Sequence, residues 1–358
     1  MKKKNIRINR ISIKNYKGLD ELELDFDPPK MPNDPDIMVM GSKNGIGKTS
    51  VIECCALLLL SLSPNLRRED SFSRMERYYP IDIPDLLIRA GIEFAEISGD
   101  IDYGGEILKK IGIRIYRNGR IEKLHSKETK EPKEFLFNRD IFELVKSVCG
   151  FTPNPAIESM FLLFHSYRKV QEGNLELGMM IDPEKKTRYI RNIDSPMSAF
   201  KLRILRSIMA KADLFERVDE EDSVKVIKKL DELIEIYVGG KIGKLLPSID
   251  NTVDFRININ TKNQDESSTF SFDGLSSGQK EIISTLFLIW YHTKDNPSVV
   301  FIDEPELHLN MQWHSGFISA LTRMAPKNQY IIATHSEYIM DSVEKYQRIL
   351  IINGDIKP

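Results

Sequence analysis

The chain has 358 residues, of which 41% are hydrophobic and 29% are charged. This composition is typical of a globular protein and excludes wholesale disorder, and the length is sufficient for a substantial core. The 51 lysine and arginine residues are balanced by 53 aspartate and glutamate residues, which gives a formal net charge of -2. No global field therefore draws the molecule onto nucleic acid or an anionic membrane, and any such contact must be local.

The sequence also indicates the cellular compartment in which the protein is expected. Apolar runs such as residues 56–60 are far shorter than the roughly 20 residues that span a bilayer. The basic N-terminus is not followed by an apolar stretch, so it does not predict a signal peptide. Cys54, Cys55 and Cys149 are predicted to be reduced thiols in the core. We therefore expect a cytoplasmic protein without membrane contact.

The N-terminal third of the chain alternates between two periodicities. Apolar residues at every second position predict an antiparallel strand pair over residues 6–26. The apolar run Ile37–Met40 predicts a strand buried on both faces, and an apolar helix is predicted from about Ser50 to Leu62. A period of two returns over residues 88–124, where glycine-containing turns predict a β meander.

The rest of the chain mixes strands and helices. Residues 160–164 predict another buried strand, and apolar spacing over residues 197–237 predicts helices too short for a coiled-coil arm. Apolar runs at 298–302 and 330–334 alternate with helical segments, which favours a parallel sheet. A last strand at 348–352 leads into an Asn-Gly turn that predicts a return strand.

A glycine-rich segment lies between the predicted strand at 37–40 and the helix that follows it. Such a loop supplies backbone N–H donors, a lysine and a hydroxyl to a phosphate chain and its magnesium ion. Lys48 would contact the β and γ phosphates, and Thr49 would bind the metal. The predicted nucleotide-binding residues are Asn44, Gly45, Ile46, Gly47, Lys48, Thr49 and Ser50. Ser42 stands where a first glycine is usual, and a glycine-rich turn without a ligand is the alternative.

Two adjacent carboxylates follow the apolar run at 298–302. Asp303 at the end of a strand can hold magnesium, and Glu304 can orient and deprotonate an attacking water. A lone Asp-Glu pair is weak evidence, but in combination with the glycine loop it indicates nucleotide hydrolysis.

Two further segments fit the same chemistry. Ser277, Gly278 and Gln279 begin a predicted helix and can present donors to an anion, although a plain N-cap explains the same pattern. His335 follows the strand at 330–334, where an imidazole can donate to a γ-phosphate, although a histidine in that place is usually structural.

In this order the four segments resemble the ATP-binding cassette (ABC) type of ATPase. The resemblance implies an α/β ABC-ATPase (P-loop) fold with a mixed central sheet, an antiparallel β subdomain and a short helical insertion. It implies one domain over 1–358, with an N-terminal lobe at 1–170, the insertion at 195–250 and a C-terminal lobe at 251–358. In that family two subunits dock head to tail, so that Ser277 and Gly278 of one would cap ATP held by Lys48 of the other. The resemblance further implies that Lys48, Glu304 and His335 are catalytic residues and that the cofactors are ATP and magnesium.

The residues around the carboxylates also resemble one branch of these ATPases. The run Asp303–Leu309 and the segment Thr334–Ser336 look like the soluble, AAA-family branch of SMC, RecF and overcoming-lysogenization-defect (OLD) proteins, which includes the Septu and retron ATPases of anti-phage systems. This implies a homodimer or a higher even-numbered oligomer that controls a separate nuclease or toxin effector. An ATP-gated DNA clamp of the RecF kind is the alternative. The residues after Glu304 do not resemble those of transporter ATPases, so a transporter motor is not expected.

Two weaker candidates remain open. Gln171 is the nearest glutamine after the strand at 160–164 and is a candidate magnesium ligand, although a solvated loop glutamine fits equally well. Residues 1–19 contain seven lysines and arginines and no acid before Asp20, which indicates either a DNA-contacting face or a solvated terminus.

Overall fold

The computed structural model describes residues 5–41, 47–63, 69–71, 83–124, 141–150, 156–158, 160–166, 175–176, 201, 204, 220–243, 246–247, 252–259, 268–352 and 355–357. The chain divides into two compact units. The first comprises Met1–Ser166, His292–Leu307 and Met311–Pro358, and the second comprises Tyr167–Tyr291 and His308–Asn310.

The strands within the described residues are β1 (Ile6–Tyr16), β2 (Leu19–Asp25), β3 (Ile37–Gly41), β4 (Glu69–Ser71), β5 (Phe94–Tyr103), β6 (Glu106–Tyr116), β7 (Arg120–Leu124), β8 (Ala156–Ile157), β9 (Phe161–Phe164), β10 (Leu175–Glu176), β11 (Gly240–Ile242), β12 (Leu246–Pro247), β13 (Thr252–Asp254), β14 (Arg256–Ile259), β15 (Ser268–Ser271), β16 (Val299–Asp303), β17 (Gln329–Thr334), β18 (Arg348–Ile352) and β19 (Asp355–Lys357). The α-helices are α1 (Lys48–Leu60), α2 (Ile83–Leu87), α3 (Ile141–Val148), α4 (Glu220–Val238), α5 (Ser277–Thr293), α6 (Met311–Met324) and α7 (Glu337–Asp341).

The antiparallel sheet of the first unit has six strands in the order β2-β1-β5-β6-β7-β4. Strand β5 buries every second residue, because one face of the sheet packs on the core. The predicted strand pair and β meander are confirmed: β1 pairs with β2, and β5, β6 and β7 pair in succession, all antiparallel.

The second sheet of this unit is mixed, with seven strands in the order β19-β18-β3-β17-β16-β9-β8. Strands β18, β3, β17, β16 and β9 are parallel, and β19 and β8 join antiparallel at the two edges. Every residue of β3, β16 and β17 is buried, as the continuous apolar runs predicted. The carboxyl ends of β3, β17 and β16 therefore lie side by side. The return strand predicted after β18 is β19.

Helix α1 is the central element of the core. All its residues from Val51 to Leu60 are buried, and it contacts β1, β5 and β6 of one sheet and β9, β16 and β17 of the other. Cys54, Cys55 and Cys149 are buried free thiols, which confirms that prediction. Burial raises the pKa of Cys149 to about 12, so this thiol is not poised to react.

The second unit contains two small antiparallel sheets, β10-β13-β12 and β11-β14-β15, together with α4 and most of α5. Helix α4 falls within the predicted helical insertion and ends before Gly239. Most of residues 197–219 lies outside the described residues. Within the described ranges, no helix is long and apolar enough to cross a membrane.

Candidate active site

The N-terminus of α1 faces the carboxyl edge of the mixed sheet. Gly47 is its N-cap residue and has a φ of 105°. This left-handed backbone favours glycine, and a Cβ atom there would lie 2.8 Å from Leu19 Cδ2, so any other residue would also displace that side chain. Lys48, Thr49 and Ser50 form the first turn, whose backbone N–H groups are not used within the helix. Asn44, Gly45 and Ile46 lie outside the described residues.

Thr49 and Asp303 form a pair of oxygen groups at this edge. Thr49 Oγ1 donates to Asp303 Oδ2 at 2.9 Å, and its distance to Oδ1 is 3.2 Å. Asp303 is the last residue of β16 and is 1% exposed. A hydroxyl and a carboxylate are the ligand types that magnesium accepts, while it keeps further places for water and phosphate oxygens. The chemistry of these donors therefore fits the predicted ion.

Lys48 meets His335 across the edge of the sheet. Its Nζ is 3.0 Å from His335 Nε2 and 3.5 Å from Nδ1. An ammonium group only donates, so the ring nitrogen that faces it accepts. Burial lowers the pKa of Lys48, which is 2% exposed, and the carboxylates of Glu304, Asp303 and Glu306 partly offset this effect.

Glu304 completes this group from the turn after β16. Its N–H donates to Ala333 O at 2.8 Å, and its Oε1 lies 3.5 Å from His335 Nε2. Its φ of 48° is left-handed, a conformation that costs a non-glycine residue about 1–3 kcal/mol. The strained turn therefore places this half-buried carboxylate beside the histidine.

Glu306 is a site residue that the sequence analysis did not single out. Its Oε2 accepts a hydrogen bond from Thr334 Oγ1 at 2.7 Å, and its Oε1 accepts one from the backbone N–H of His335 at 2.5 Å. A third carboxylate two residues after Glu304 was the signal available in the sequence.

The end of β9 holds another polar residue beside this group. Phe164, the last residue of β9, pairs with Ile302, so His165 follows β9 at the same edge of the sheet at which Asp303 ends β16. His165 is buried, and its Nε2 lies 2.7 Å from Ser147 O. Gln171, the predicted ligand in this part of the chain, lies outside the described residues.

The start of α5 belongs to the second unit. Ser276 and Gln279 form a capping box: Gln279 N–H donates to Ser276 Oγ at 3.3 Å, and Ser276 N–H donates to Gln279 Oε1 at 3.1 Å. Gln279 Nε2 also donates to Tyr237 O. The cap thus occupies both Ser276 and Gln279, while Ser277 is exposed and Gly278 packs against the backbone of His308.

The basic residues near the N-terminus have carboxylate partners. Arg7 bonds to Asp36, Arg10 to Glu23, Lys14 to Glu21 and Lys17 to Glu53. Their charge is therefore balanced locally in this part of the first unit, and residues 1–4 lie outside the described residues.

Two protein families match the chain. Residues 162–341 match the family described as "AAA domain, putative AbiEii toxin, Type IV TA system", and residues 10–238 match the family described as "AAA domain". The second match alone covers more than half of the chain.

Individual proteins match over nearly the whole length. The "Retron Ec83 probable ATPase" of Escherichia coli is 21% identical, and the match covers 98% of this chain and 72% of the relative. The crystal structure of an Smc head bound to the C-winged helix domain of ScpA superposes with a TM-score of 0.53 at 16% identity, covering 98% of this chain and 96% of that one. The recombination mediator protein RecF, in its ATPrS-containing structure, gives 0.50 at 13% identity and covers 99% of both chains. At such low identity the structural likeness is one of fold.

Proposed function

This chain belongs to the AAA domain family and is an ATPase with the ABC-type fold of the SMC and RecF proteins, and we propose that it hydrolyses magnesium-ATP at a site completed by a second copy of itself. One observation supports this most strongly. At the start of α1, Thr49 Oγ1 lies 2.9 Å from Asp303 Oδ2 at the end of β16. Lys48 Nζ and Glu304 Oε1 lie 3.0 Å and 3.5 Å from Nε2 of His335, which follows the neighbouring strand β17.

Each side chain has a distinct role in the proposed reaction. Hydrolysis transfers the γ-phosphoryl group to water, while the bond to ADP breaks and the water gives up a proton. Glu304 accepts that proton, Lys48 binds the β and γ phosphates, and His335 donates to the γ-phosphate.

Thr49 and Asp303 are the residues that would hold magnesium. When bound, the ion neutralises negative charge that develops on the phosphate oxygens. The Thr49 hydroxyl and the Asp303 carboxylate lie side by side at the start of α1, where phosphates bind most readily.

The second copy would contribute the start of α5. Ser277 is exposed at the N-terminus of a helix of 17 residues, and Gly278 follows it. In the ABC-type arrangement these residues contact the γ-phosphate of the ATP bound to the other subunit, so ATP binding stabilises the dimer. Two ATP molecules would then hold a head-to-tail dimer, which can also pair into larger even-numbered oligomers.

The proposed role of this dimer is to control a separate effector, a nuclease or a toxin, in anti-phage defence. Support comes from the retron ATPase relative and from the family description that names a toxin and a Type IV TA system.

The RecF-like alternative, an ATP-gated DNA clamp, requires exposed cations, whereas Arg7, Arg10, Lys14 and Lys17 have carboxylate partners. DNA affinity that rises with ATP and falls steeply with salt would favour the clamp.

A substitution at Glu304 tests the enzymatic core of the proposal. Glu304→Gln keeps the side-chain size and removes the base, so we expect ATP binding to persist and turnover to fall about 100- to 10,000-fold. Glu235→Gln, which changes an exposed carboxylate on α4, is the matched control and should have wild-type turnover. Undiminished hydrolysis by Glu304→Gln, measured as released phosphate, would remove Glu304 from this role.

A further inference from the structure

We propose that Glu306 is a positioning residue for ATP hydrolysis, which holds the backbone of His335 so that its imidazole faces Lys48 and Glu304. The inference rests on the proposed role of His335 at the γ-phosphate. Both carboxylate oxygens of Glu306 are used on the segment that carries the histidine: one accepts from Thr334 Oγ1 and the other from His335 N–H. Hydrogen bonds to an ionised acceptor are stronger than neutral ones, and two of them fix orientation as well as distance.

The geometry separates Glu306 from Glu304, although both belong to one turn. Leu307 N–H donates to Glu304 O at 3.2 Å and closes that turn. Glu304 directs its carboxylate to the side chain of His335, at 3.5 Å from Nε2, whereas Glu306 directs its carboxylate to the backbone of the same residue. Glu304 therefore lies where it can meet substrate, and Glu306 acts through the histidine.

The segment is also held from its other side. Ser336 N–H donates to Thr334 Oγ1 at 3.0 Å, and Ser336 Oγ lies 3.1 Å from Nδ1 of the buried His314 on α6. Ser336 Oγ also accepts from Ile339 N–H and so caps α7. The residues on both sides of His335 are thus fixed, and Glu306 supplies the bond to the backbone of His335 itself.

This arrangement matters because the His335 side chain is itself 44% exposed. A side chain with little packing keeps its direction only if its backbone is held. A displacement of about 1 Å can lower a rate on the order of 100-fold, even when the displaced group stays in the site. Loss of Glu306 should therefore slow the chemical step more than it weakens ATP binding, to which Lys48 and the start of α1 contribute directly.

The first experiment compares substitutions of two glutamates close together in the fold. For Glu306→Ala we expect kcat to fall about 10- to 100-fold, with KM for ATP within about twofold of wild type. Glu306→Gln keeps an oxygen acceptor for one of the two donors and should recover a large part of the lost kcat. Glu337→Ala is the matched control, because Glu337 is exposed in α7, only two residues after His335, and should leave kcat unchanged. Equal kcat in wild type and Glu306→Ala would overturn the inference.

A double-mutant cycle tests whether Glu306 acts through His335. If it does, Glu306→Ala/His335→Ala will be no slower than His335→Ala alone. If Glu306→Ala slows the His335→Ala enzyme by the same factor as it slows wild type, Glu306 acts elsewhere and the inference is wrong. Normal hydrolysis by His335→Ala would refute the proposed role of the histidine as well, whereas slow His335→Ala together with normal Glu306→Ala would refute the positioning role alone.

A second variant keeps the test decisive if Glu306→Ala fails to fold. Thr334→Val keeps the shape of a fully buried side chain and removes the hydroxyl that donates to Glu306. Thr334→Val and Glu306→Gln, which removes only one of the two acceptor oxygens, should each lower kcat with KM unchanged, by less than the loss expected for Glu306→Ala. Wild-type kcat in both variants, with melting temperatures showing that they are folded, would overturn the inference.

Discussion

Lys48 lies among carboxylates that partly offset the effect of burial on its pKa. Burial lowers its pKa, and Glu304, Asp303 and Glu306 act in the opposite direction. A triphosphate adds further negative charge and, in the proposed mechanism, competes with His335 for the donors of Lys48. Binding of ATP would thereby release the His335 ring, which can then turn its own donor toward the γ-phosphate. In this proposal the contact of 3.0 Å between Lys48 Nζ and His335 Nε2 would link nucleotide binding to the position of the His335 ring.

The hydroxyl of Thr49 should set the magnesium requirement. Thr49→Ala removes one oxygen of the pair with Asp303, so the magnesium concentration that gives half-maximal hydrolysis should rise about tenfold or more. Thr49→Ser retains the hydroxyl and should stay within about twofold of wild type. Titration of activity with magnesium at saturating ATP measures both. An unchanged requirement in Thr49→Ala would remove Thr49 from the metal site.

Glu53 should contribute a pH-dependent part of the stability. It is 2% exposed on α1, and burial raises its pKa, an effect that Lys17 and Tyr16 partly offset. In the interval between its usual pKa, about 4.3, and the raised value, the folded state binds more protons than the unfolded state. The stabilising contribution of Glu53 is therefore complete below that interval and is lost as the pH rises through it.

Replacement of Glu53 by glutamine removes this titration. The free energy of unfolding of wild type minus that of Glu53→Gln should decrease as the pH rises above about 4.3, the usual pKa of glutamate. Urea unfolding at several pH values measures this difference. Glu21→Gln, at an exposed position of β2, controls for the loss of one charge. A difference that grows with pH would contradict the expected sign.

The start of α5 depends on close packing as well as on its cap. A Cβ atom on Gly278 would lie 2.3 Å from the carbonyl oxygen of His308, a distance that forces the backbone to move. In α6, by contrast, a Cβ atom on Gly316 would meet nothing within 4 Å. The same substitution should therefore have opposite effects in the two helices.

We expect Gly278→Ala to lower the melting temperature and the rate of ATP hydrolysis. Gly316→Ala should raise stability by about 0.5–1 kcal/mol, the usual gain when alanine replaces glycine inside a helix, and leave hydrolysis unchanged. Thermal unfolding and phosphate release on the two variants measure both effects. A higher melting temperature for Gly278→Ala would contradict this expectation and would show that the backbone of His308 moves at little cost.

Elements with a clear periodicity were predictable, and contacts between distant segments were not. Continuous burial of β3 and β16 is a property of consecutive residues, so their apolar runs were sufficient to predict them and to place Asp303 at a strand end. The two donors to Glu306 lie 28 and 29 residues away along the chain, and no local pattern encodes that meeting. The left-handed φ of Glu304 could not be predicted either, because glutamate has no preference for this conformation.

The proposed dimer follows from the way the chemistry is divided along the chain. The first unit contains Lys48, Asp303, Glu304 and His335, and the second contains Ser277 and Gly278. In a dimer with twofold symmetry each copy gives the same surfaces, so one copy supplies Lys48 to one site and Ser277 to the other. A subunit damaged at Lys48 and a subunit damaged at Ser277 should therefore complement each other.

A mixing experiment tests this complementation. Lys48→Ala and Ser277→Arg should each be inactive alone, because each destroys both sites of its own dimer. Mixed in equal amounts, they pair at random, half of the dimers are mixed, and each mixed dimer has one intact site, so about a quarter of wild-type turnover should return. Ser277→Arg mixed with the double variant Lys48→Ala/Ser277→Arg is the control, since no pairing of these two restores a site. If each site were built within one chain, mixing the two variants would restore no activity. The absence of recovered turnover in the first mixture would therefore refute the shared site, whatever the activities of the single variants.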